Sequence, residues 1–307
     1  MDQIVFGLLV VRIIISIIGV VGNVVLIISV LHMTRLKTFE VFLLGLAVSN
    51  LEEIMIVDIY DIVVFFSTTS ISIWSCSALK FITISGEVAS ILFTVLICIF
   101  RYQKMHNAAI RVITPIFMDS MKIAIGLSIG CVLLALLVGV PTYIINLDTW
   151  QFTDNSTTED CQADFFQCPK GHCPTFNNIY KNLIIFVCHL LPLIIVTGTS
   201  SLIIKILTGQ QKVAELHQDS EPAAIVAHHH HNENSVFHRS TIGILAAMAA
   251  FQLYCCLYLI LQLRFTPHDF PAWSELEFLN TTFYTGIIPY IYGMGHNFFS
   301  VKHFLKH

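Results

Sequence analysis

Long apolar stretches recur along the chain, and short polar connections separate them. Seven of these stretches have about 20 residues or more, the length that an α-helix needs to cross the apolar core of a bilayer. The pattern predicts an all-α membrane protein, folded as one domain (1–307) that is a bundle of seven transmembrane helices. The predicted spans are 4–31, 39–66, 76–102, 121–145, 180–207, 241–263 and 273–294.

Two polar segments complete this pattern. Segment 208–239 contains four consecutive histidines, His228 to His231, and its composition is typical of a flexible inner loop. After Gly295, apolar residues alternate with Lys302 and Lys306. This arrangement predicts a short amphipathic C-terminal helix over 296–305 that lies on the membrane surface.

The composition agrees with a membrane protein. Hydrophobic residues make up 55% of the chain and charged residues 12%, whereas soluble domains average about 25% charged residues. The net charge is −4, and the chain has no basic run of the kind that neutralises nucleic-acid phosphates. We therefore expect the lipid bilayer, and no nucleic acid, as a partner.

The basic residues predict the orientation of the bundle. If the amino terminus lies outside, most of the 16 Lys and Arg residues fall in segments that face the cytoplasm, as the positive-inside rule requires. Segment 4–31 has no basic region before it and no small-residue cleavage site after it, so we expect a retained helix and not a signal peptide. These features predict a multi-pass plasma-membrane protein with an extracellular amino terminus and a cytoplasmic carboxyl terminus.

Ionisable side chains within the predicted spans are candidates for a binding site, because a charge buried in a membrane span without a partner is costly. In the second span, Glu53 and Asp61 share one face of the helix. In the third span, Lys80, Ile84 and Glu87 also share a face. These residues predict contacts with a small-molecule ligand, and the sequence leaves ion pairs between helices open as the alternative.

Four further residues extend the candidate ligand site. His189 in the fifth span is either a ligand contact or a hydrogen-bonded core residue. Tyr254 and Tyr258, one turn apart in the sixth span, predict an aromatic pocket wall, with ordinary packing as the alternative. Glu275 lies on the stripe of the seventh span that predicts the mouth of the pocket.

Two other polar residues stand out in apolar helices. Asn23 interrupts the first span, and an unpaired amide in lipid is costly, so we expect a hydrogen bond from Asn23 to a neighbouring helix. Glu52 lies on the side of the second span opposite Asn50 and Glu53. No partner is predicted for Glu52.

The nine cysteines fall into two groups. Five lie within the spans and predict apolar packing. Four lie outside, where disulfides persist and three pairings are possible: Cys76, Cys161, Cys168 and Cys173. The segment 168–173 also holds a histidine, but it supplies too few ligands for a zinc site at standard spacing. The sequence Asn155-Ser156-Thr157 predicts N-glycosylation of Asn155 on the outer side.

The stretch 76–104 resembles a known family. It begins with Cys76 and ends in the run FRYQK, and a helix with a rise of 1.5 Å per residue separates Cys76 from Arg101 by about 37 Å. A cysteine and an aromatic-flanked arginine at this spacing are similar to the third span of class A G-protein-coupled receptors. The Arg-Tyr-Gln-Lys ending resembles the vomeronasal type 1 receptors and the olfactory class A-related receptors of fish.

The resemblance implies a chemosensory receptor of the olfactory or pheromone type. Such a receptor binds a small organic ligand from the extracellular side and activates a heterotrimeric G protein, and no cofactor is implied. The resemblance also implies that Arg101 and Tyr102 act in activation together with Pro289 and Tyr292, which belong to a Pro-x-x-Tyr motif in the seventh span. By the same resemblance, Glu87 lies at the floor of the ligand pocket.

One disulfide pairing follows from the resemblance alone. The family ties the outer end of the third span to the second outer loop, which corresponds to a bond between Cys76 and Cys161 in this chain. Cys168 and Cys173 then remain to form the second bond, which closes a short loop.

Three positions depart from the family pattern. Asn50 stands where most class A receptors have an aspartate that binds sodium, and Ile288 replaces the asparagine before Pro289. Phe100 replaces the acidic neighbour that helps to restrain the arginine corresponding to Arg101. The loss of the acidic neighbour at Phe100 predicts that the resting receptor is restrained by other contacts, or restrained less.

Two other classes of membrane protein are alternatives to a receptor. An intramembrane metal hydrolase needs several histidines and aspartates from different spans, and His189 is the one histidine well inside a predicted span. An enzyme is therefore not expected. A transporter or channel would use the intramembrane carboxylates, although internal repeats and interrupted helices, which are typical of transporters, are not evident in the sequence. This second class stays open as the alternative.

Overall fold

The computed structural model describes residues 2–66, 72–110, 117–151, 165–168, 173–218, 227–265 and 272–296. Within these ranges the chain forms seven long helices and no strand, which confirms the predicted all-α fold. Their bounds are α1 (Asp2–Leu31), α2 (Thr38–Phe66), α3 (Ile73–Ile110), α4 (Met121–Gln151), α5 (Thr175–Ile184, Ile185–Leu190 and Leu191–Gln218), α6 (Ala227–Arg264) and α7 (Trp273–His296). The middle part of α5 is a π-helical turn. The described residues end at position 296, so the predicted amphipathic C-terminal helix lies outside them.

Three helix ends differ from the sequence prediction. Segment 208–239 was predicted to be a flexible loop, but α5 continues to Gln218 and α6 begins at Ala227. Similarly, α3 continues past residue 102 to Ile110. The apolar windows mark only the part of a helix that suits lipid, whereas the backbone hydrogen bonds continue through polar residues with good helix propensity, such as Gln, Lys and Glu.

Five of the described helices are long and apolar enough to cross a membrane by length and composition: Gln3–Leu31, Ile73–Ile110, Met121–Leu147, Thr175–Gly209 and Ser240–Arg264. The predicted spans in α2 and α7 do not meet the same criterion. α2 carries Glu52, Glu53 and Asp58, and α7 is rich in Thr, Tyr and Gly. Many of the polar groups in these two helices face other helices. Their lower hydropathy is therefore compatible with a place in the bundle.

Glycines bring α1 and α7 into close contact. A Cβ atom at Gly19 would lie only 2.9 Å from the Cα atom of Gly286, so the two backbones pack directly on each other. Next to this contact, the Asn23 amide donates hydrogen bonds to the carbonyl oxygens of Thr285 (3.1 Å) and Gly19 (2.9 Å). This confirms the predicted hydrogen bond from Asn23 to a neighbouring helix.

The central helix is α3, which packs against α2, α4 and α5. On the α2 side, Ser90 donates a 2.6 Å hydrogen bond to the Asn50 side chain. A Cβ atom at Gly86 would lie 2.6 Å from the Glu52 carboxylate, which identifies the α3 surface against which Glu52 packs. We call the two ends of the bundle the Cys76 end and the Arg101 end, after residues near opposite ends of α3.

Candidate functional site

A cavity lies toward the Cys76 end of the bundle, between α2, α3, α5, α6 and α7. The empty volume between these helices is about 510 Å³, including the part open to solvent. Both charged and aromatic side chains form its surface. The lining residues are Glu53, Val57, Thr83, Ile84, Glu87, Phe165, Phe166, Lys181, Tyr258, Gln262, Trp273, Glu277, Phe278 and Thr281.

One wall of the cavity comes from the short segment 165–168, which lies between α4 and α5 along the chain. The Phe165 ring packs edge-on against Phe278 of α7, with 6.1 Å between the ring centroids. The Phe166 ring packs in the same way against Tyr180 of α5, at 5.8 Å. Both phenylalanines are buried, so this segment is part of the core and not a solvent-exposed loop.

Polar contacts fix the segment 165–168 in place. Gln167 has a positive φ of 49°, a conformation that residues other than glycine seldom adopt without local support. Its side-chain amide donates to the Asn146 oxygen (2.9 Å), and the Asn177 side chain donates to its backbone carbonyl (3.2 Å). A disulfide joins Cys168 to Cys173, next to α5. The wall is therefore held by α4 and α5 together.

Glu87 is the α3 residue of the cavity lining that lies farthest from Cys76, and the side chains of Tyr254 and His189 are next to it. The Tyr254 hydroxyl donates a 2.5 Å hydrogen bond to Oε1 of Glu87, and Nε2 of His189 lies 3.7 Å from the same oxygen. The Tyr258 ring stacks on His189 with 3.5 Å between the centroids. His189 belongs to the π-helical turn of α5, and such turns are frequent at functional sites.

A chain of contacts continues from Glu87 into the middle of the bundle. Tyr254 stacks on Tyr284 of α7 with 4.8 Å between the ring centroids. The Tyr284 hydroxyl and the Thr94 hydroxyl of α3 share a 2.7 Å hydrogen bond. Glu87 is thus linked through α6 and α7 to a point about two helical turns from Arg101 on the same α3 helix.

Glu53 is the most deeply buried carboxylate of the cavity lining. Its relative exposure is 2%, and within the described residues its Oε1 atom has no hydrogen-bond partner. The carboxylates of Glu87 and Glu52 repel that of Glu53 electrostatically. Two acidic side chains predicted from the sequence, Glu53 on α2 and Glu87 on α3, therefore face one cavity, as do Ile84 and Tyr258.

Four predicted ligand residues lie outside the cavity lining. Lys80 is fully buried, and its ammonium group donates a 2.8 Å hydrogen bond to the side chain of Asn146 on α4. Glu275 faces α1, where its carboxylate lies 3.6 Å from the buried guanidinium group of Arg12. His189 and Tyr254 lie behind the lining, in contact with Glu87. The side chain of Asp61 lies outside the described residues.

The structure adds lining residues that the sequence analysis did not single out. Phe165, Phe166 and Lys181 are the main additions. The adjacent phenylalanines in an otherwise polar segment were a usable signal, because consecutive aromatic residues in a loop seldom remain exposed. No comparable signal marked Lys181, a single cation near the start of the fifth span.

At the Arg101 end, the arginine packs against α2. The guanidinium carbon of Arg101 lies 3.7 Å from the centroid of the Phe39 ring, within the range of a cation–π contact. Phe39 in turn meets Tyr292 edge-on, with 6.2 Å between the centroids. Glu40 and Tyr292 both act electrostatically on Arg101. This end of α3 is therefore held by the first turn of α2 and by α7.

The remaining predicted residues occupy various environments. The Tyr102 ring packs near His106, one turn further along α3, and Pro289 is buried within α7. Cys76 is disulfide-bonded, but Cys161, the partner predicted for it, lies outside the described residues, as does Asn155. In the part of the chain that the structure describes, no three His, Cys, Asp or Glu side chains converge on a metal site.

Comparison with known proteins gives one family. The model of the 7 transmembrane receptor (rhodopsin family) matches residues 22–296, which is most of the chain and all of α2 to α7. No curated protein matches the chain.

Proposed function

This chain belongs to the rhodopsin family of seven-transmembrane receptors, and we propose that within this family it is a chemosensory receptor of the vomeronasal type 1 or fish olfactory kind. The family membership makes it a multi-pass membrane receptor with a small-molecule ligand and a G protein as partners. The proposal adds the type of receptor, the place where the ligand binds and the route of activation. Its ligand is a small organic cue that enters from the extracellular side at the Cys76 end.

The observation that carries the proposal is the position of Glu87. Glu87 lines the cavity, and the hydrogen bond that it accepts from Tyr254 begins the contacts that lead through Tyr284 to Thr94 of α3. A ligand that displaces or reorients the Glu87 carboxylate would change a contact shared by α3, α5 and α6. The cavity is therefore coupled to helices that extend to the Arg101 end.

Activation follows as a shift between two arrangements of the bundle. A ligand shifts this equilibrium only by as much as it binds the active arrangement better than the resting one. In the resting arrangement Arg101 packs on Phe39. In the active arrangement Arg101 leaves α2 and becomes available to the G protein at the cytoplasmic side.

The test is G-protein activation in cells that express the chain or its Arg101→Ala variant at equal surface density. The cells are exposed to panels of small acids, amines and neutral odorants. The proposal expects a response to at least one class, and loss of that response in Arg101→Ala. The matched control is Lys122→Ala, which removes one positive charge from an exposed position of α4 and should leave the response unchanged.

Another outcome would favour the transporter or channel alternative. Ligand-dependent movement of ions or solutes that survives Arg101→Ala, without any G-protein signal, would contradict the receptor mechanism.

A further inference from the structure

The ionisable groups of the cavity are mostly acidic. Among the described lining residues there are three carboxylates, on Glu53, Glu87 and Glu277, and one ammonium group, on Lys181. The carboxylates come from three different helices, so their presence around one cavity is a property of the fold and not of one polar helix face. Buried charge of one sign favours a ligand that carries the opposite charge.

Two of the three carboxylates have polar partners within the protein. Glu87 accepts the Tyr254 hydrogen bond and lies near His189, and Glu277 accepts a 2.6 Å hydrogen bond from the Gln262 amide. Glu53 differs, because its Oε1 atom has no hydrogen-bond partner within the described residues although it is almost fully buried. A buried carboxylate oxygen in this state is costly unless something else binds it.

We propose that the cavity binds a small organic ammonium ion, and that the Glu53 carboxylate is the group that anchors its charge. This inference rests on the proposed function, because it names the ligand class of the same cavity. The Glu53 carboxylate accepts hydrogen bonds from the N–H groups of the ligand. Glu87 adds a second negative charge to the same cavity. The ligand in return provides the hydrogen-bond donor that the protein does not provide to Glu53 within the described residues.

The rest of the lining suits the hydrocarbon part of such a ligand. Phe165, Phe166, Trp273 and Phe278 surround the cavity with aromatic surface, which binds apolar groups and whose faces also attract alkylammonium groups. A metal cation fits less well, since no three suitable ligands converge in the described part of the chain. The chemistry therefore favours an amine with an alkyl or aryl body.

The test measures binding directly, by the thermal stabilisation of the purified full-length protein. The probes are three compounds with the same ring, phenethylamine, phenethyl alcohol and phenylacetate, together with butylamine, hexylamine and the corresponding alcohols and carboxylates. A compound that binds the folded protein raises its unfolding temperature. We expect stabilisation by one or more amines, at concentrations about tenfold or more below those at which the matched alcohols and carboxylates act.

Three variants assign the effect to one side chain. Glu53→Gln keeps the shape and removes the charge, and it should lower the affinity for the amine about tenfold or more. Asp119→Asn is the control, because it also replaces a carboxylate by the amide of the same shape, at an exposed position outside the cavity lining, near the start of α2 at the Arg101 end. Glu53→Asp retains the charge and should retain the preference for amines. This variant keeps the inference testable if Glu53→Gln does not fold.

The outcomes separate this inference from the receptor proposal. The inference is wrong if no amine stabilises the protein, if alcohols or carboxylates stabilise it equally, or if the effect of the amine survives Glu53→Gln. G-protein activation by acids or neutral compounds that is lost in Arg101→Ala would support the receptor proposal and contradict an ammonium ligand. Binding of amines without any G-protein signal would support the inference and count against the receptor mechanism.

Discussion

The guanidinium group of Arg101 lies over the ring of Phe39, with its central carbon 3.7 Å from the ring centroid. In related receptors an acidic neighbour helps to restrain the corresponding arginine, and Phe100 occupies that position here. The Phe100 ring packs on Phe42 instead, at 6.0 Å between centroids. Arg101 instead has the aromatic ring of Phe39 and the charge of Glu40 near it, both from the first turn of α2. In the proposed route of activation, these two groups restrain Arg101.

Replacing Phe39 should raise basal signalling. A cation–π contact contributes about 0.5–2 kcal/mol, so its loss in Phe39→Leu should increase the active population about two- to thirtyfold. The measurement is ligand-independent G-protein activation, normalised to receptor at the cell surface. The matched control is Phe42→Leu, which removes the neighbouring α2 ring that packs on Phe100 and should not raise the basal signal. Equal basal activity in wild type and Phe39→Leu would contradict the assignment.

Removing one hydroxyl should weaken the coupling between the cavity and the bundle. Tyr254→Phe keeps the stacking on Tyr284 but removes the hydrogen bond to Glu87. Hydrogen bonds to charged groups contribute about 1.5–3 kcal/mol, so we expect the concentration of ligand for half-maximal response to change by about tenfold or more. The measurement is a concentration–response curve for whichever ligand activates the wild type.

The control for this prediction removes a hydroxyl elsewhere. The Tyr290 hydroxyl donates a 2.7 Å hydrogen bond to the Ile18 carbonyl between α7 and α1, away from the cavity lining. Tyr290→Phe should lower the unfolding temperature slightly and leave the response curve in place. A Tyr254→Phe curve that coincides with that of the wild type would show that the Glu87–Tyr254 contact has no part in signalling.

The contact between α1 and α7 should not tolerate a side chain at Gly19. A new Cβ there would meet the Gly286 Cα at 2.9 Å, and this atom belongs to the backbone and cannot rotate away. Overpacking of this kind costs about 1–3 kcal/mol, so Gly19→Ala should lower the unfolding temperature of the purified protein. Gly130→Ala is the matched control, because nothing lies within 4 Å of its new Cβ and alanine is the better helix former. Similar unfolding temperatures for the two variants would contradict the close approach of the two helices.

Much of the fold could be predicted from the sequence because helices in lipid must satisfy their own backbone groups. The apolar windows located all seven helices, and the 3.6-residue period placed Glu53, Ile84 and Glu87 on faces that meet in one cavity. Periodicity fixes which residues share a face, and this information is local. It was sufficient for the carboxylates because both belong to helices at the centre of the bundle.

The partners across helices could not be predicted in the same way. Lys80 and Glu275 were expected at the ligand, but they bind Asn146 of α4 and Arg12 of α1. The partner of each side chain depends on which helix is adjacent and on how that helix is rotated about its axis. The hydrophobic period of a single helix contains neither piece of information. The Phe165 wall depends in addition on a positive φ at the neighbouring Gln167, which side-chain hydrogen bonds support.

The two lysines near the Cys76 end should respond differently to the same substitution. Lys80 is fully buried and donates to Asn146, so Lys80→Met removes a donor from a buried amide oxygen. The loss of a charged hydrogen bond should cost about 1.5–3 kcal/mol of folding stability. Lys181 lines the cavity and is partly exposed, so Lys181→Met should change the stability little and the ligand preference more.

The comparison of Lys80→Met with Lys181→Met therefore distinguishes a structural lysine from a ligand-facing one. Unfolding temperatures without ligand report the first role, and the shift caused by the amine and carboxylate probes reports the second. Removing the positive charge of Lys181 should strengthen the binding of an amine, because the ammonium groups of lysine and ligand repel each other in the same cavity. If Lys80→Met instead alters the preference among probes while its unfolding temperature stays that of the wild type, Lys80 contacts the ligand as the sequence first indicated.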